Sequence, residues 1–483
     1  MQYQSTRGHN AAVSASEAIV RGLAPDGGLY VPQEFPRADL EAWRGLDYPQ
    51  LAAEVLALYL TDYDPAFLQD AAQSTYTMPF AGKAGRVVTV APGLHALELW
   101  HGPTCAFKDY ALQLMPKLLV QAKRNLGRTE KTRILVATSG DTGKAALAGY
   151  AGLDGIEIAV FYPNDGTSEI QRLQMVTQAG DNVAVYAVNG NFDDAQTGVK
   201  RVFGGAGAAA ELAGRGICLS SANSINWGRL APQIVYYFYA YFRLVESGAA
   251  AWGQPVDFCV PTGNFGDILA GYYAKRMGLP VGRLICASNK NNVLADFIRT
   301  GTYDKRREFY KTASPSMDIL ISSNLERLLY HLTGDAARVA GWMAELAEKG
   351  FYTVDAETLA RLQESFVCGW ADDAQAAAMI RRRWEEDRYL CDPHTAVAFC
   401  VAEEQRGTAP VTVLSTASPF KFPRDVLAAL GAGVPDSDFA AMEALTAATG
   451  SPAPESLRCL QQLPVRFRES LDPAAISGAA PSP

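Results

Sequence analysis

No two of the eight cysteines in this chain stand as a C-x-x-C pair or at a spacing suited to a metal. They are Cys105, Cys218, Cys259, Cys286, Cys368, Cys391, Cys400 and Cys459, and several lie inside apolar runs, where a reduced cysteine acts as a small hydrophobe. A disulfide scaffold and a structural metal site are thereby set aside, Cys105 included, and the cytosol is the expected compartment. No apolar stretch approaches a membrane span, and the opening Met1-Gln2-Tyr3-Gln4-Ser5-Thr6-Arg7 lacks the apolar core of a secretion signal. Positive charge is also scarce: the net charge is −8 and no basic stripe is visible, which argues against nucleic acid as a partner. The short runs Lys305 to Arg307 and Arg381 to Arg383 read as solvated faces, the second offset by Glu385, Glu386 and Asp387. Internal repeats and long low-complexity linkers are missing too.

What is present is globular: 48% hydrophobic and 19% charged residues over 483 positions, too many for one core, so two or three domains are expected. Short apolar runs alternate with helical ones, the mark of a mostly parallel α/β sheet. The runs Leu94 to Trp100, Arg133 to Val136, Glu157 to Tyr162, Val183 to Val188, Leu284 to Ala287, and those starting at Val256 and Val411 predict strands. Helices are predicted over Leu51 to Tyr59, just after Pro49, and over Tyr110 to Lys123 despite Pro116. Others are predicted over Phe192 to Ala210, Trp227 to Val245, Ile268 to Met277 and Ala336 to Glu348, with Tyr236 to Tyr239 as core aromatics. The pattern divides the chain into an N-terminal unit (1–92), a core of two α/β subdomains (93–435) and a helical tail (436–483). From Gly450 the tail is rich in Pro, Ala and Ser; it holds one candidate helix, Pro454 to Gln462, and is expected to end loosely.

Chemistry concentrates where predicted strands end. After Leu94 to Trp100 comes His101-Gly102-Pro103-Thr104-Cys105-Ala106-Phe107-Lys108-Asp109, a lysine in a tight turn with apolar bulk before its amine. Desolvation there lowers a lysine pKa and frees the amine as a nucleophile. After Val256 to Pro261 come Gly263-Asn264-Phe265-Gly266-Asp267 and a helix, which can turn backbone N–H groups and a helix dipole onto an anion. Ala137-Thr138-Ser139-Gly140-Asp141-Thr142-Gly143-Lys144-Ala145 repeats the strand, loop and helix plan. It is no nucleotide P-loop, because Thr138 replaces the first glycine and Ala145 the final hydroxyl. A hydroxyl-rich loop opening a helix suits a small carboxylate, or simply a helix capped by Ser139 or Asp141. Ser415-Thr416-Ala417-Ser418-Pro419-Phe420-Lys421-Phe422 again ends a strand in hydroxyls, one of which could meet a cofactor ring nitrogen.

Together these segments resemble the threonine synthase family, in its longer bacterial and fungal form. The likeness rests on the Lys108 turn, Ser139 to Gly143 and Gly263 to Gly266. It extends through Tyr3 to Gly8, Ala24 to Pro32, Ser168 to Met175, Asn223 to Arg229, Pro315 to Leu320, Ser322 to Arg327 and Asp392 to Val397. The resemblance implies a tryptophan-synthase β-like fold (fold type II) and pyridoxal 5'-phosphate as the cofactor, with no metal. It implies a Schiff base on Lys108, a phosphate cradle of Gly263, Asn264, Phe265 and Gly266 joined by Asp267, and Thr416 at the pyridine nitrogen. Ser139 and Thr142, with loop N–H groups including that of Asp141, would grip the substrate carboxylate; many relatives carry asparagine at the Asp141 position. Arg7, Lys144, Arg172 and Arg229 are the candidate cations for a substrate phosphate.

The implied reaction converts O-phospho-L-homoserine and water to L-threonine and phosphate in a cytosolic monomer or homodimer, without nucleic-acid or membrane partners. Its rivals are a phospho-lyase that releases 2-oxobutyrate and a non-catalytic cofactor-binding protein. With motifs starting almost at Met1, the S-adenosylmethionine-sensing extension of the plant form is not expected, nor is control by that molecule.

Overall fold

The computed structural model describes every residue except 10, 165–166, 191, 205–211, 213 and 479–483. In chain order the strands are β1 (Tyr3–Ser5), β2 (Tyr30–Pro32), β3 (Arg86–Ala91), β4 (Leu94–Glu98), β5 (Lys131–Ala137), β6 (Ile156–Pro163), β7 (Val183–Val188) and β8 (Ile217–Ser220). They continue as β9 (Val256–Pro261), β10 (Val281–Ser288), β11 (Thr302–Asp304), β12 (Phe351–Thr353), β13 (Phe366–Trp370), β14 (Val411–Ser415) and β15 (Ser470–Leu471).

Two sheets dominate. One runs β13-β10-β9-β14-β4-β3, parallel except for β3, and the other runs β15-β7-β6-β5-β8, parallel throughout. The chain makes β4, leaves to build β5 through β8, and returns for β9, so the two α/β subdomains are interleaved. Strands such as β7 and β9 are buried along their whole length, as helices on both faces of a parallel sheet require.

The helix Trp227–Glu246 binds the molecule together. It is apolar nearly all round, and Tyr236 and Tyr237 are wholly buried. At its start the Trp227 ring lies 5.3 Å from Tyr3, 5.4 Å from Tyr59 and 5.3 Å from Tyr273, which joins the N-terminal unit to the core.

Several local expectations shift. The helix expected after Pro49 is Tyr48–Tyr59, capped by Asp47 with Pro49 inside its first turn, where a missing N–H costs nothing. The helix expected over Tyr110 to Lys123 is two, Asp109–Leu112 and Met115–Asn125, because Pro116 can only open the second. The helix from Phe192 reaches Gly204; residues 205–210 of that expectation lie outside the described residues.

Residue 92, where the N-terminal unit is expected to end, lies in the β3–β4 hairpin, and β3 pairs with β4 at the edge of the six-stranded sheet. The tail holds helix Asp438–Thr449 and, at the expected 454–462, the short helices Glu455–Arg458 and Cys459–Gln462. Strand β15 then pairs with β7, Ile476 is buried beside the helix Phe192–Gly204, and residues 479–483 lie outside the described residues.

Candidate active site

The turn of Lys108 is held between the ends of β4 and β14. Thr104 donates its N–H to Asp109 Oδ2 (2.8 Å) and its hydroxyl to Oδ1 (2.7 Å). Gly102 is required there, because a Cβ would come within 2.5 Å of the same carboxylate. Cys105 sits in the left-handed region (φ 60°), and its carbonyl accepts from Ser418 N (3.1 Å). Phe107 N donates to Thr416 O (2.8 Å), which brings Thr416 beside the lysine.

The Lys108 side chain is only 11% exposed. Its Nζ lies 3.3 Å from Ser316 Oγ and 3.8 Å from Asp141 Oδ2. Burial pulls this amine down to about 8; Asp141 opposes the shift, and Lys421 and Arg229 add to it. Ser316 is held in turn by its N–H, which donates to His394 Nε2 (3.1 Å), while His394 Nδ1 meets Asp392 Oδ2 at 2.6 Å.

Asp141 is the first residue of helix Asp141–Tyr150. Neither Ser139 nor Asp141 caps that helix: its N-cap is Gly140, and the Thr138 hydroxyl accepts from Gly140 N (3.0 Å) and Gly143 N (2.9 Å). Helix geometry leaves the N–H groups of Asp141 and Thr142 for a ligand, with Ser139 and Thr142 half-buried beside them. The Asp141 side chain is committed elsewhere. Its Oδ1 accepts from Lys421 Nζ (2.5 Å) and Gln171 Nε2 (3.0 Å), and Ser316 Oγ lies 3.5 Å from Oδ2. Burial alone would raise its pKa, but Lys421 and Lys108 hold the carboxyl well below the usual range.

The glycine loop after β9 is gripped from behind. Ser322 Oγ donates to Gly263 O (2.8 Å), and Asn324 donates its N–H (3.0 Å) and Nδ2 (3.1 Å) to Asn264 O. Arg327 clamps Asn324 Oδ1 (2.5 Å) and the carbonyls of Tyr30 and Ile225. A Cβ at Gly263 would meet Ser316 O at 2.8 Å, so only glycine lets the two loops approach. Phe265 is left-handed (φ 64°), and Gly266 opens the helix Gly266–Arg276 without a side-chain cap. With its carbonyls engaged, the loop keeps its N–H groups for an anion. The Asp267 side chain turns away onto Tyr236 and Tyr237, whose hydroxyls donate to Oδ1, while buried Oδ2 has no partner among the described residues. Burial pushes this carboxyl up to about 7.

Of the two hydroxyls ending β14, that of Ser415 accepts from Trp100 Nε1 (3.2 Å) and Thr395 Oγ1 (3.3 Å), which leaves Thr416 facing the lysine turn. Among the four candidate cations, Arg7 is a bidentate partner of Glu326, Lys144 donates to Gln178 (2.6 Å), and Arg172 is half-buried near Tyr162. Arg229 differs. It is buried within electrostatic reach of Lys108, its Nη1 donates to Ala222 O (2.6 Å), and its Nε has no partner among the described residues. Among the described residues no carboxylate pairs with it, and burial draws its pKa down to about 10.

An amine, a cradle at an uncapped helix N-terminus, a neutral hydroxyl and an uncompensated buried cation therefore share one site. That donor set fits a phosphorylated aldehyde cofactor and a second anion. Ser316, Gln171, His394 and Lys421 lie in segments already singled out, but their roles were missed in the sequence, since each acts on a residue far away in the chain.

The chain matches family models described as "Threonine synthase N terminus" over residues 2–76, "Pyridoxal-phosphate dependent enzyme" over 91–416 and "Threonine synthase, C-terminal" over 395–476. It is 41% identical to a threonine synthase of Pseudomonas aeruginosa over 88% of this chain and 90% of that protein. With a threonine synthase of Schizosaccharomyces pombe the identity is 38%, over 89% of each. A human protein named "Threonine synthase-like 1" is 41% identical over 86% of this chain, which spans only 58% of that relative's length. The crystal structure of a PLP-bound threonine synthase from Brucella melitensis superposes with a TM-score of 0.88 at 39% identity, covering 98% of this chain and 97% of that one. The yeast threonine synthase structure gives 0.87 at 34% identity, covering 98% and 96%.

Proposed function

We infer the reaction of this chain from its family: it belongs to the threonine synthases, within the pyridoxal-phosphate-dependent enzymes of fold type II. The reading is that it converts O-phospho-L-homoserine and water to L-threonine and phosphate. One observation carries it: a desolvated lysine amine stands beside an anion cradle and a buried arginine that has no counter-charge among the described residues.

Lys108 would hold the cofactor through Nζ, with the N–H groups of Gly263, Asn264, Phe265, Gly266 and Asp267 around its phosphate and the Thr416 hydroxyl at its ring nitrogen. When bound, pyridoxal phosphate supplies an electron sink for carbanionic character on the substrate, and a neutral hydroxyl partner keeps that sink mild. The substrate carboxylate would go to the N–H groups of Asp141 and Thr142 and the hydroxyls of Ser139 and Thr142. Its phosphate would go to Arg229, which thereby gains the charge partner it lacks.

Freed when the substrate's amino group takes its place, the Lys108 amine would move protons at Cα, Cβ and Cγ in turn, since neighbouring carbons on one face lie within reach of one base. Phosphate leaves from Cγ and water adds at Cβ. Relatives named threonine synthase and threonine synthase-like match at the same 41% identity, so a second reading stands beside the first. In that reading phosphate leaves without controlled hydration, and 2-oxobutyrate and ammonia are released.

The cytosol is the proposed setting, consistent with eight unpaired thiols. A monomer or homodimer without nucleic-acid or membrane partners is proposed, the first supported by the net charge of −8. Among the described residues no helix is long and apolar enough to cross a membrane. The proposed division is an N-terminal unit ending before β3, an interleaved core, and a tail docked on β7. Phosphate release from phosphohomoserine by the wild type, lost in Lys108→Ala, tests the reading; release that survives in the variant overturns it.

A further inference from the structure

Lys421 has no exposed surface, yet it carries a charge into the middle of the site. Its Nζ donates to two acceptors, Asp141 Oδ1 (2.5 Å) and Thr104 O (3.2 Å). Thr104 belongs to the turn of Lys108, Asp141 to the loop opposite, and Lys421 itself follows Thr416 at the end of β14. One nitrogen thus joins three segments distant in sequence. Helix Glu169–Val176 repeats the connection with neutral groups: Gln171 donates to Asp141 Oδ1 (3.0 Å) and Gln174, one turn on, to Thr104 O (3.2 Å). Two side chains of one helix and one lysine therefore grip the same two acceptors.

The charge arrangement is equally specific. Asp141 lies closer to Lys421 (2.5 Å) than to Lys108 (3.8 Å), so its negative charge is cancelled away from the reactive amine. A buried carboxylate stripped of Lys421 would have Lys108 as its remaining cation, and would hold that amine protonated. The other ionisable groups acting on Lys108 are Arg229 and Asp267; Asp109, Lys144 and Cys105 face Lys421.

We propose that Lys421 is a positioning residue for Lys108: it ties the lysine turn to the opposite loop and neutralises Asp141, so that the amine faces an acceptor without being locked into an ion pair. The proposal deepens the reading of Lys108 given above and rests on it. Asp141 and Lys421 then form a charge-matched unit, in which either member alone does harm and loss of both together is tolerated.

The test uses Lys421→Met, Lys421→Arg, Asp141→Asn and the double variant Asp141→Asn with Lys421→Met. Two readouts are taken: kcat with phosphohomoserine, and the pH at which Lys108 of the cofactor-free protein is half-labelled by trinitrobenzenesulfonate, followed by peptide mapping. Lys421→Met should lower kcat by about 10²-fold and raise the labelling midpoint by about one pH unit. Lys421→Arg should keep the midpoint near that of the wild type. The double variant should recover at least about tenfold of the lost kcat and return the midpoint, because no charge is left uncompensated. An unmoved midpoint in Lys421→Met, or a double variant no better than either single one, overturns the proposal. Midpoints that move as expected in a protein inert towards phosphohomoserine uphold it and overturn the reaction instead.

Discussion

The Lys108 amine and the Asp141 carboxylate stand 3.8 Å apart, inside ion-pair range but beyond hydrogen-bond length. The gap exists because the other oxygen of Asp141 is already committed to Lys421 and Gln171. Lys108 therefore keeps a nearby acceptor while burial still favours its neutral form. A base that must also be a nucleophile needs that balance.

Replacement of Lys108 by alanine should leave a folded protein without the visible or near-ultraviolet absorbance of the bound cofactor. Activity should fall by at least about 10³-fold, as for loss of a group with both covalent and acid–base roles. Absorbance spectra and circular dichroism of the two proteins check this.

The pH dependence has a definite sign. Burial lowers the Lys108 amine to about 8, so its neutral, nucleophilic fraction in the cofactor-free protein should rise through pH 8. An unfolded lysine titrates near 10.4. Between those values the unfolded chain binds the extra proton, so this group's contribution makes the cofactor-free protein more stable as pH rises across that window. Half-buried Lys144 is also drawn down to about 8 by desolvation, so the labelling must be mapped to the peptide.

Much of the site was legible because it is local. Lys108 behind β4, the glycines behind β9 and the hydroxyls behind β14 each announce themselves within about ten residues of a strand end. What stayed hidden depends on pairing across the chain. Lys421 is 280 positions from Asp141, and nothing in Pro419-Phe420-Lys421-Phe422 marks it as buried. Ser322, Asn324 and Arg327 belonged to a recognised motif, but the hold of the first two on the Gly263 and Asn264 carbonyls, and of Arg327 on Asn324, required the fold. Composition gave no sign of β15 in the tail rich in Pro, Ala and Ser, because its parallel partner β7 lies far away in the chain.

Arg229→Met should separate binding from stability. Removal of a buried cation with no carboxylate partner should leave the cofactor-free protein as stable or more so. The same change should raise KM for phosphohomoserine by about 10- to 100-fold, the worth of a charge-assisted contact. Thermal denaturation and steady-state kinetics read the two effects independently.

Gly263→Ala should be harmful in a particular direction. Its Cβ would stand 2.8 Å from Ser316 O and push the cradle away from the loop that meets Lys108. A stability loss of about 1–3 kcal/mol is expected, together with cofactor lost on dialysis that the wild type retains. Equilibrium unfolding and absorbance after dialysis check both.

The central claim is that this pocket delivers water to Cβ of phosphohomoserine after phosphate has left Cγ. The direct measurement is mass spectrometry of the products formed by cofactor-loaded protein from O-phospho-L-homoserine in oxygen-labelled water. L-threonine should carry one labelled oxygen, in its β-hydroxyl, and phosphate none, since the C–O bond breaks on the carbon side. Labelled phosphate with homoserine, or 2-oxobutyrate with ammonia in place of threonine, would contradict it.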